Sequence, residues 1–205
     1  MQVVLSDVES QAPILIRAER IMSDDEFYNF CQAHSELRIE RSAEGEMIVM
    51  PGTGGETGRR NLELSGQLKN WVDRDGRGVA FDSSTEFHLP NGAFRSPDAS
   101  WIERSRWSAV APEKRRKFPP LCPDFVVELR SASDRLPPLQ EKMSEWIANG
   151  ARLGWLIDAD HRTVFVYRPG GAVEVIEAAD ELLGEGPVAG LVLDLRPIWD
   201  PDAGL

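Results

Sequence analysis

Residues 119–147, PPLCPDFVVELRSASDRLPPLQEKMSEWI, constrain the fold more than any other stretch, because they set a carboxylate inside an apolar strand. The run DFVVEL reads as a buried central strand, yet it carries Glu128 among its apolar residues. A carboxylate in that position is costly unless a hydrogen bond, a cation or a metal offsets it. The helix expected next, LPPLQEKMSEWIANG, closes at Gly150. At about 100° per residue, Leu139, Met143, Trp146 and Ile147 form its apolar stripe. Lys142 falls on the flank, with Glu141 and Glu145 on the solvent side. A flanking lysine can bury its stem and carry its ammonium toward the end of the Glu128 strand. Its ordinary role is to reach water.

The remaining elements follow from capping and periodicity. Ser23 with Glu26 three residues on is a capping box, which opens a helix over MSDDEFYNFCQAH. ELRIER and EMIVM, separated by SAEG, read as a hairpin. GTGGETGRRNLELSGQLKNWVDRDG leads into a long helix with Leu64, Leu68, Trp71 and Val72 on one face. Continued backward, that face meets Asn61, Arg60 and Thr57, so its N-terminal half is polar and needs polar partners. A metal-phosphate cleft supplies such partners; an inter-subunit or solvent-filled groove does so equally. Strands are expected in RGVAFDSS, in EFHLPNGAFRSPDASWIE with a turn at Asn91-Gly92, and in ARLGWLID, RTVFVYR and AVEVIE. The tail LVLDLRPIWDPDAGL ends in irregular, proline-broken sequence. This order predicts a mixed α/β fold, a curved central sheet flanked by helices. The expected division is an N-terminal arm over 1–20, one domain over 21–198 and a C-terminal tail over 199–205.

No apolar run reaches the ~18 residues of a membrane span. The leading MQVVLSDVESQAP has acids and no basic region, so neither a signal peptide nor a membrane partner is expected. Cys31 and Cys122 form no metal or redox pattern and read as reduced thiols of a cytoplasmic protein. A formal net charge of −11 counts against broad attraction to polyanions. It leaves room for local basic patches at GRR (58–60) and EKRRKF (113–118), the latter reading as a solvated loop.

Asp98, in RSPDASWIE, begins a strand that Trp101 and Ile102 carry onward. Two acids on neighbouring strands, Asp98 and Glu128, projecting to one side would make a hard oxygen site suited to Mg²⁺ or Mn²⁺. An ion held there typically activates water and stabilises charge on phosphorus. The plainer alternatives are a capped strand end for Asp98 and a buried salt bridge for Glu128.

On GEMIVMPGTGGETGRRN, FRSPDASW, PDFVVELRSASD, LQEKM and NGARLGWLID, in that order and spacing, the sequence resembles a bacterial family described as "putative restriction endonucleases". That family, long catalogued as a domain of unknown function, lies in the PD-(D/E)XK nuclease superfamily. The resemblance spans roughly residues 20–198 and implies a restriction-endonuclease-like fold. It makes Asp98 and Glu128 the catalytic metal-binding acids and Glu40 an accessory acid. Arg130 stands where the superfamily has its lysine, and Lys142 looks like that lysine moved to the following helix. Arginine does not readily give up its proton and is a poor base, but it can clamp phosphate. The implied activity is Mg²⁺-dependent (or Mn²⁺-dependent) endonuclease cleavage of nucleic acid, with DNA the expected substrate. In that scheme Asp98, Glu128 and Lys142 are catalytic, while Arg130, Arg60 and Asn61 face substrate phosphate. By analogy with nucleases that cut two strands the protein is expected to be a homodimer, with Trp107 or Trp199 available for an interface. The competing reading is a nuclease-fold protein that binds nucleic acid or serves assembly without cutting. A hydrolase of small phosphoesters has no motif in its support.

Overall fold

The computed structural model describes residues 14–17 and 20–203. Most of the expected N-terminal arm therefore lies outside the described residues, but β1 (Ile14–Ile16) already pairs into a sheet. The capping box starts α1 (Asp24–Ala33). Glu26 N–H donates to the Ser23 hydroxyl at 3.3 Å, and Ser23 N–H donates to the Glu26 carboxylate at 2.9 Å. Ser23→Ala is expected to lower stability by about 0.5–2 kcal/mol, visible as a lower denaturant midpoint with an unchanged slope.

The hairpin is β2 (Arg38–Arg41) and β3 (Met47–Met50), turned through Gly45 at φ +88°. Helix α2 (Gly55–Asp75) follows, then β4 (Gly78–Asp82), β5 (Phe87–His88), β6 (Phe94–Arg95) and β7 (Ala99–Glu103). Two short helices, α3 (Arg104–Ala109) and α4 (Pro112–Arg115), lead to β8 (Phe125–Arg130), α5 (Leu136–Ala148) and β9 (Leu153–Asp158). The chain continues through β10 (Thr163–Tyr167), β11 (Glu174–Glu177), β12 (Glu181–Leu183), β13 (Val192–Asp194) and α6 (Arg196–Trp199).

The mixed α/β architecture is as expected, but the strands divide between sheets. Five form the order β1-β3-β2-β6-β5 and six the order β11-β10-β9-β8-β7-β4, with β12 and β13 as a separate pair. In the larger sheet β8 and β9 run parallel, with α5 as the crossover between them, and the other pairings are antiparallel. The period of two along β8 sorts its side chains. Val127 and Leu129 pack with Leu64, Leu68, Trp71 and Val72 of α2, whereas Val126 packs with Met143 and Trp146 of α5. Glu128 therefore falls on the α5 side. Helix α5 lies so close to β9 that a Cβ on Gly154 would stand 2.4 Å from the Met143 methyl. The short segment between β6 and β7, Ser96 to Asp98, carries the chain from one sheet to the other.

The tail is ordered as far as Trp199: it forms β13 and α6 and closes the core over α2, burying Leu191, Leu193, Leu195, Ile198 and Trp199, and then runs on in turns. Gln67 of α2 grips it, donating to Asp194 O at 2.9 Å and accepting from Asp194 N–H at 2.7 Å. Trp199 is 8 % exposed and donates to Ala179 O, so it offers no interface. Trp107 packs against Phe81 and under the guanidinium of Arg115. Among the described residues no helix is long and apolar enough to cross a membrane.

Candidate active site

Strand register brings the two acids together. Ala99 pairs with Val127 in the antiparallel β7–β8 ladder, so Asp98, one residue earlier, comes opposite Glu128, one residue later. Residues opposite one another project from the same face. Asp98 Oδ2 accepts the Leu129 N–H at 2.7 Å, and Oδ1 lies 3.4 Å from the amide nitrogen of Asn61, which reaches over from the start of α2.

Helix α5 supplies the rest of the Glu128 environment from one face, since residues four apart are neighbours on a helix. Trp146 Nε1 donates to Glu128 Oε1 at 2.9 Å, and Lys142 Nζ lies 2.9 Å from the same oxygen. The Lys142 ammonium also donates to Glu40 Oε1 and to Ser96 O, each at 2.9 Å. Glu40, on β2 of the smaller sheet, is further held by Ser96 N–H at 3.0 Å and Arg95 Nη1 at 3.2 Å. Arg95 in turn pairs with Glu145 of α5 at 2.6 Å. The structure thus gathers Asp98, Glu128, Lys142, Glu40 and Asn61 at one end of β7 and β8.

Charge within this cluster is unevenly shared. Burial would raise Glu40, but Lys142 and Arg95 outweigh it and hold the carboxyl below its ordinary value. Glu128 shares Lys142 with Glu40 and has no second cation among the described residues. Burial, reinforced by the charges of Asp98 and Glu40, pushes it up to about 7. Burial also raises Asp98. Lys142 is held above its ordinary value, because Glu128 and Glu40 outweigh the effect of burying its ammonium. Glu86, 7 % exposed, has one carboxyl oxygen with no hydrogen-bond partner, and burial raises it well above the ordinary value. The charge of Glu40 adds to that shift.

Three carboxylates around one ammonium leave room for a further cation. Asp98 and Glu128 present hard oxygen donors on one face, and the buried Oδ1 of Asn61 has no hydrogen-bond partner. Among the described residues no three His, Cys, Asp or Glu side chains are gathered as a ready-made metal cage. Asp98 and Glu128 supply the number and kind of protein oxygens that Mg²⁺ commonly takes, its shell being completed with water and phosphate oxygens.

Two of the expected phosphate-binding residues are engaged elsewhere. Arg60 is buried and turned to the tail, donating to Ile198 O at 2.9 Å and Glu56 at 2.7 Å, with Asp160 at 3.6 Å. Its position on the inward face is as read, but a carbonyl and two acids consume its donors. Arg130 pairs with Asp158 across β8 and β9 at 2.7 Å and donates to Asp134 O at 3.1 Å, with His161 beside it. The Thr57 side chain makes no hydrogen bond among the described residues and is half-buried. Glu145, read as solvent-facing, is 18 % exposed and bonded to Arg95. Sequence reasoning also passed over Arg95 and Trp146 as site residues. The one available signal for Arg95 was a cation three residues before Asp98 in FRSPD.

A family model described as "Putative restriction endonuclease" matches residues 24–196, a span that contains Glu40, Asn61, Asp98, Glu128 and Lys142. Among solved structures, that of "a putative nuclease belonging to DUF820" from Anabaena variabilis is similar, with a TM-score of 0.67 and 25% identity. The match covers 80% of this chain and 90% of that one. No curated protein matches the chain. With the family model spanning both sheets and the clustered acids, the chain belongs to the Uma2 family, described as putative restriction endonucleases.

Proposed function

We propose that the protein is a Mg²⁺-dependent endonuclease, able to use Mn²⁺ as well, that hydrolyses phosphodiester bonds in DNA. The observation that carries this reading is the charge shortfall at Glu128: a buried carboxylate opposite Asp98, whose one ammonium is shared with Glu40. Asp98 and Glu128 are the residues to hold the ion. Bound there, a divalent cation supplies Lewis acidity toward the phosphate and a more acidic water. Lys142 stays protonated between its two acids and acts as a fixed positive charge, orienting water or meeting charge that develops on phosphate oxygens. Glu40 and the Ser96 carbonyl aim that ammonium, and Trp146 fixes the Glu128 rotamer. Asn61 holds Asp98 from the α2 side. Cutting both strands takes two such sites, so the proposal extends to a homodimer, to be checked by sedimentation.

The experiment is nicking of supercoiled plasmid with Mg²⁺, with Mn²⁺ and with excess chelator. Cleavage is expected with either ion and none with chelator. Cleavage that survives chelation removes the metal from the scheme. A wild-type protein that binds the ion by calorimetry yet leaves plasmid intact transfers the assignment to the non-cutting module. The position of Arg130, bonded to Asp158 where the superfamily has a lysine, supports that second reading.

A further inference from the structure

The other end of β7 carries a concentration of positive charge that the acid cluster does not use. Between Arg104 and Phe118 the chain has six basic residues and a single acid, Glu113, although the protein as a whole has a formal charge of −11. Some of these cations serve the fold. Arg106 pairs with Asp124 at 2.7 Å, Arg115 donates to the carbonyls of Val110 and Ser108, and Lys117 pairs with Asp25. Arg104, Lys114 and Arg116 are exposed and have no ion-pair or hydrogen-bond partner for their side chains among the described residues. A solvated loop with six structural cations would need no explanation; three exposed and unengaged cations in an acidic protein do.

Arg104 itself lines a cleft of about 530 Å³, together with Arg77, Glu103, Arg152, Ser105 and Trp101. Arg152 is half-exposed and meets acids only at long range, Glu103 at 3.7 Å and Asp124 at 3.8 Å. Trp101 is 2 % exposed, and its Nε1 is buried without a hydrogen-bond partner. Arginine and the indole N–H can only donate. The acid of this lining, Glu103, already accepts from the Ser105 hydroxyl at 2.8 Å. Arg77 is already bonded to Asp75 and to Ala189 O, each at 2.7 Å. Arg104 and Arg152, which make no close ion pair among the described residues, match a ligand that only accepts, which describes the ionised oxygens of a phosphodiester.

We propose that this cleft, together with the exposed cations Arg104, Lys114 and Arg116 that follow β7 in the chain, is a second phosphate-binding surface that holds the backbone of the nucleic acid away from the point of cutting. Asp98 and Glu103 bracket β7, so the two sites stand about 17 Å apart at ~3.3 Å per residue. That length corresponds to about five base-pair steps of a duplex. An acidic protein with a repulsive active-site rim gains purchase on a polyanion through such a separate patch. The identity of the ligand rests on the nuclease reading; the presence of a phosphate site at this end of the sheet does not.

The test is binding rather than cleavage. Fluorescence anisotropy of a labelled duplex is measured across a salt series for the wild type and for the triple variant Arg104→Glu, Lys114→Glu, Arg116→Glu. All three side chains are exposed, and circular dichroism confirms that the variant folds. The variant is expected to bind at least tenfold more weakly at low salt. Its plot of log K against log salt should be shallower by about 2–3, since each lost phosphate contact removes about 0.9. Nicking at saturating plasmid should be unchanged. Inorganic phosphate and a mononucleotide, added as competitors, separate the possible sources of phosphate. Weak competition at millimolar levels agrees with a backbone site, whereas tight binding of either with no effect of the variant on the duplex overturns it. Unchanged duplex affinity and salt slope, or a wild type that does not bind duplex, also overturn it. Failure of the cutting assignment reads differently: plasmid stays intact while the wild type and the variant still differ in binding.

Discussion

Lys142→Ala is expected to slow Mg²⁺-dependent plasmid nicking by about 10²–10⁴-fold, the usual loss for a well-placed acid–base or electrostatic group. Among the described residues the ammonium is the single cation within 3 Å of both Glu40 and Glu128, and none of them can replace it. Removing one partner of a buried ion pair commonly costs about 3–5 kcal/mol, because a charge is left uncompensated. The effect here is expected at the low end of that range below neutral pH. Glu40 keeps Arg95, and Glu128, already shifted to about 7, takes up a proton instead. The cost should grow as pH rises past 7, when Glu128 must ionise without its partner. Lys142→Arg distinguishes charge from geometry: it should keep most of the stability and recover little of the rate. Undiminished nicking by the alanine variant, beside an active wild type, would remove Lys142 from the catalytic scheme.

Glu128→Gln should have opposite effects on activity and stability. Losing a metal-binding acid is expected to reduce nicking to background. Without added metal, however, the variant should be more stable than the wild type. The folded-state pKa of Glu128 lies near 7, above the ordinary value of 4.5. The folded protein therefore holds this proton more tightly than the unfolded chain does. Below pH 4.5 the side chain is protonated in both states and contributes nothing. Between 4.5 and 7 the unfolded chain releases its proton first, and wild-type stability falls as pH rises. Above 7 the full penalty is present, about 3 kcal/mol at 1.36 kcal/mol per pKa unit. Glutamine keeps an oxygen for Trp146 Nε1 and for Lys142 and carries no charge, so its profile should lack this decline. The measurement is denaturant unfolding between pH 4.5 and 8 in chelator. Parallel profiles for the two proteins would show that Glu128 is adequately compensated without a metal.

The acids and the lysine were legible because each follows from one short-range rule. Alternation along DFVVEL puts Glu128 on a definite face, and helical spacing puts Lys142 beside Trp146. The Arg95–Glu145 pair was hidden because a helical wheel knows only the sheet its apolar stripe packs on. Glu145 looks solvated from the larger sheet, yet the smaller sheet stands against that flank. Arg60 and Arg130 failed for a related reason. Sequence shows that a guanidinium faces inward and not which acceptor reaches it first; Ile198 O and Asp158 come from segments far along the chain. In the tail, the alternating LVLDL was itself a strand signal, outweighed in the reading by the prolines that follow it.

The cluster is also a seam. Glu40 and Arg95 come from the smaller sheet, Glu128 from the larger, and Lys142 and Glu145 from the helix that clips them together. A chain still being synthesised has Glu40, Asp98 and Glu128 before it has the lysine, and it has the lysine before β9 exists for α5 to lie on. The constellation therefore exists only once both sheets are complete and docked. On the proposed reading, activity would therefore await that docking, and local separation of the two sheets would abolish it by dispersing the charges without unfolding either layer.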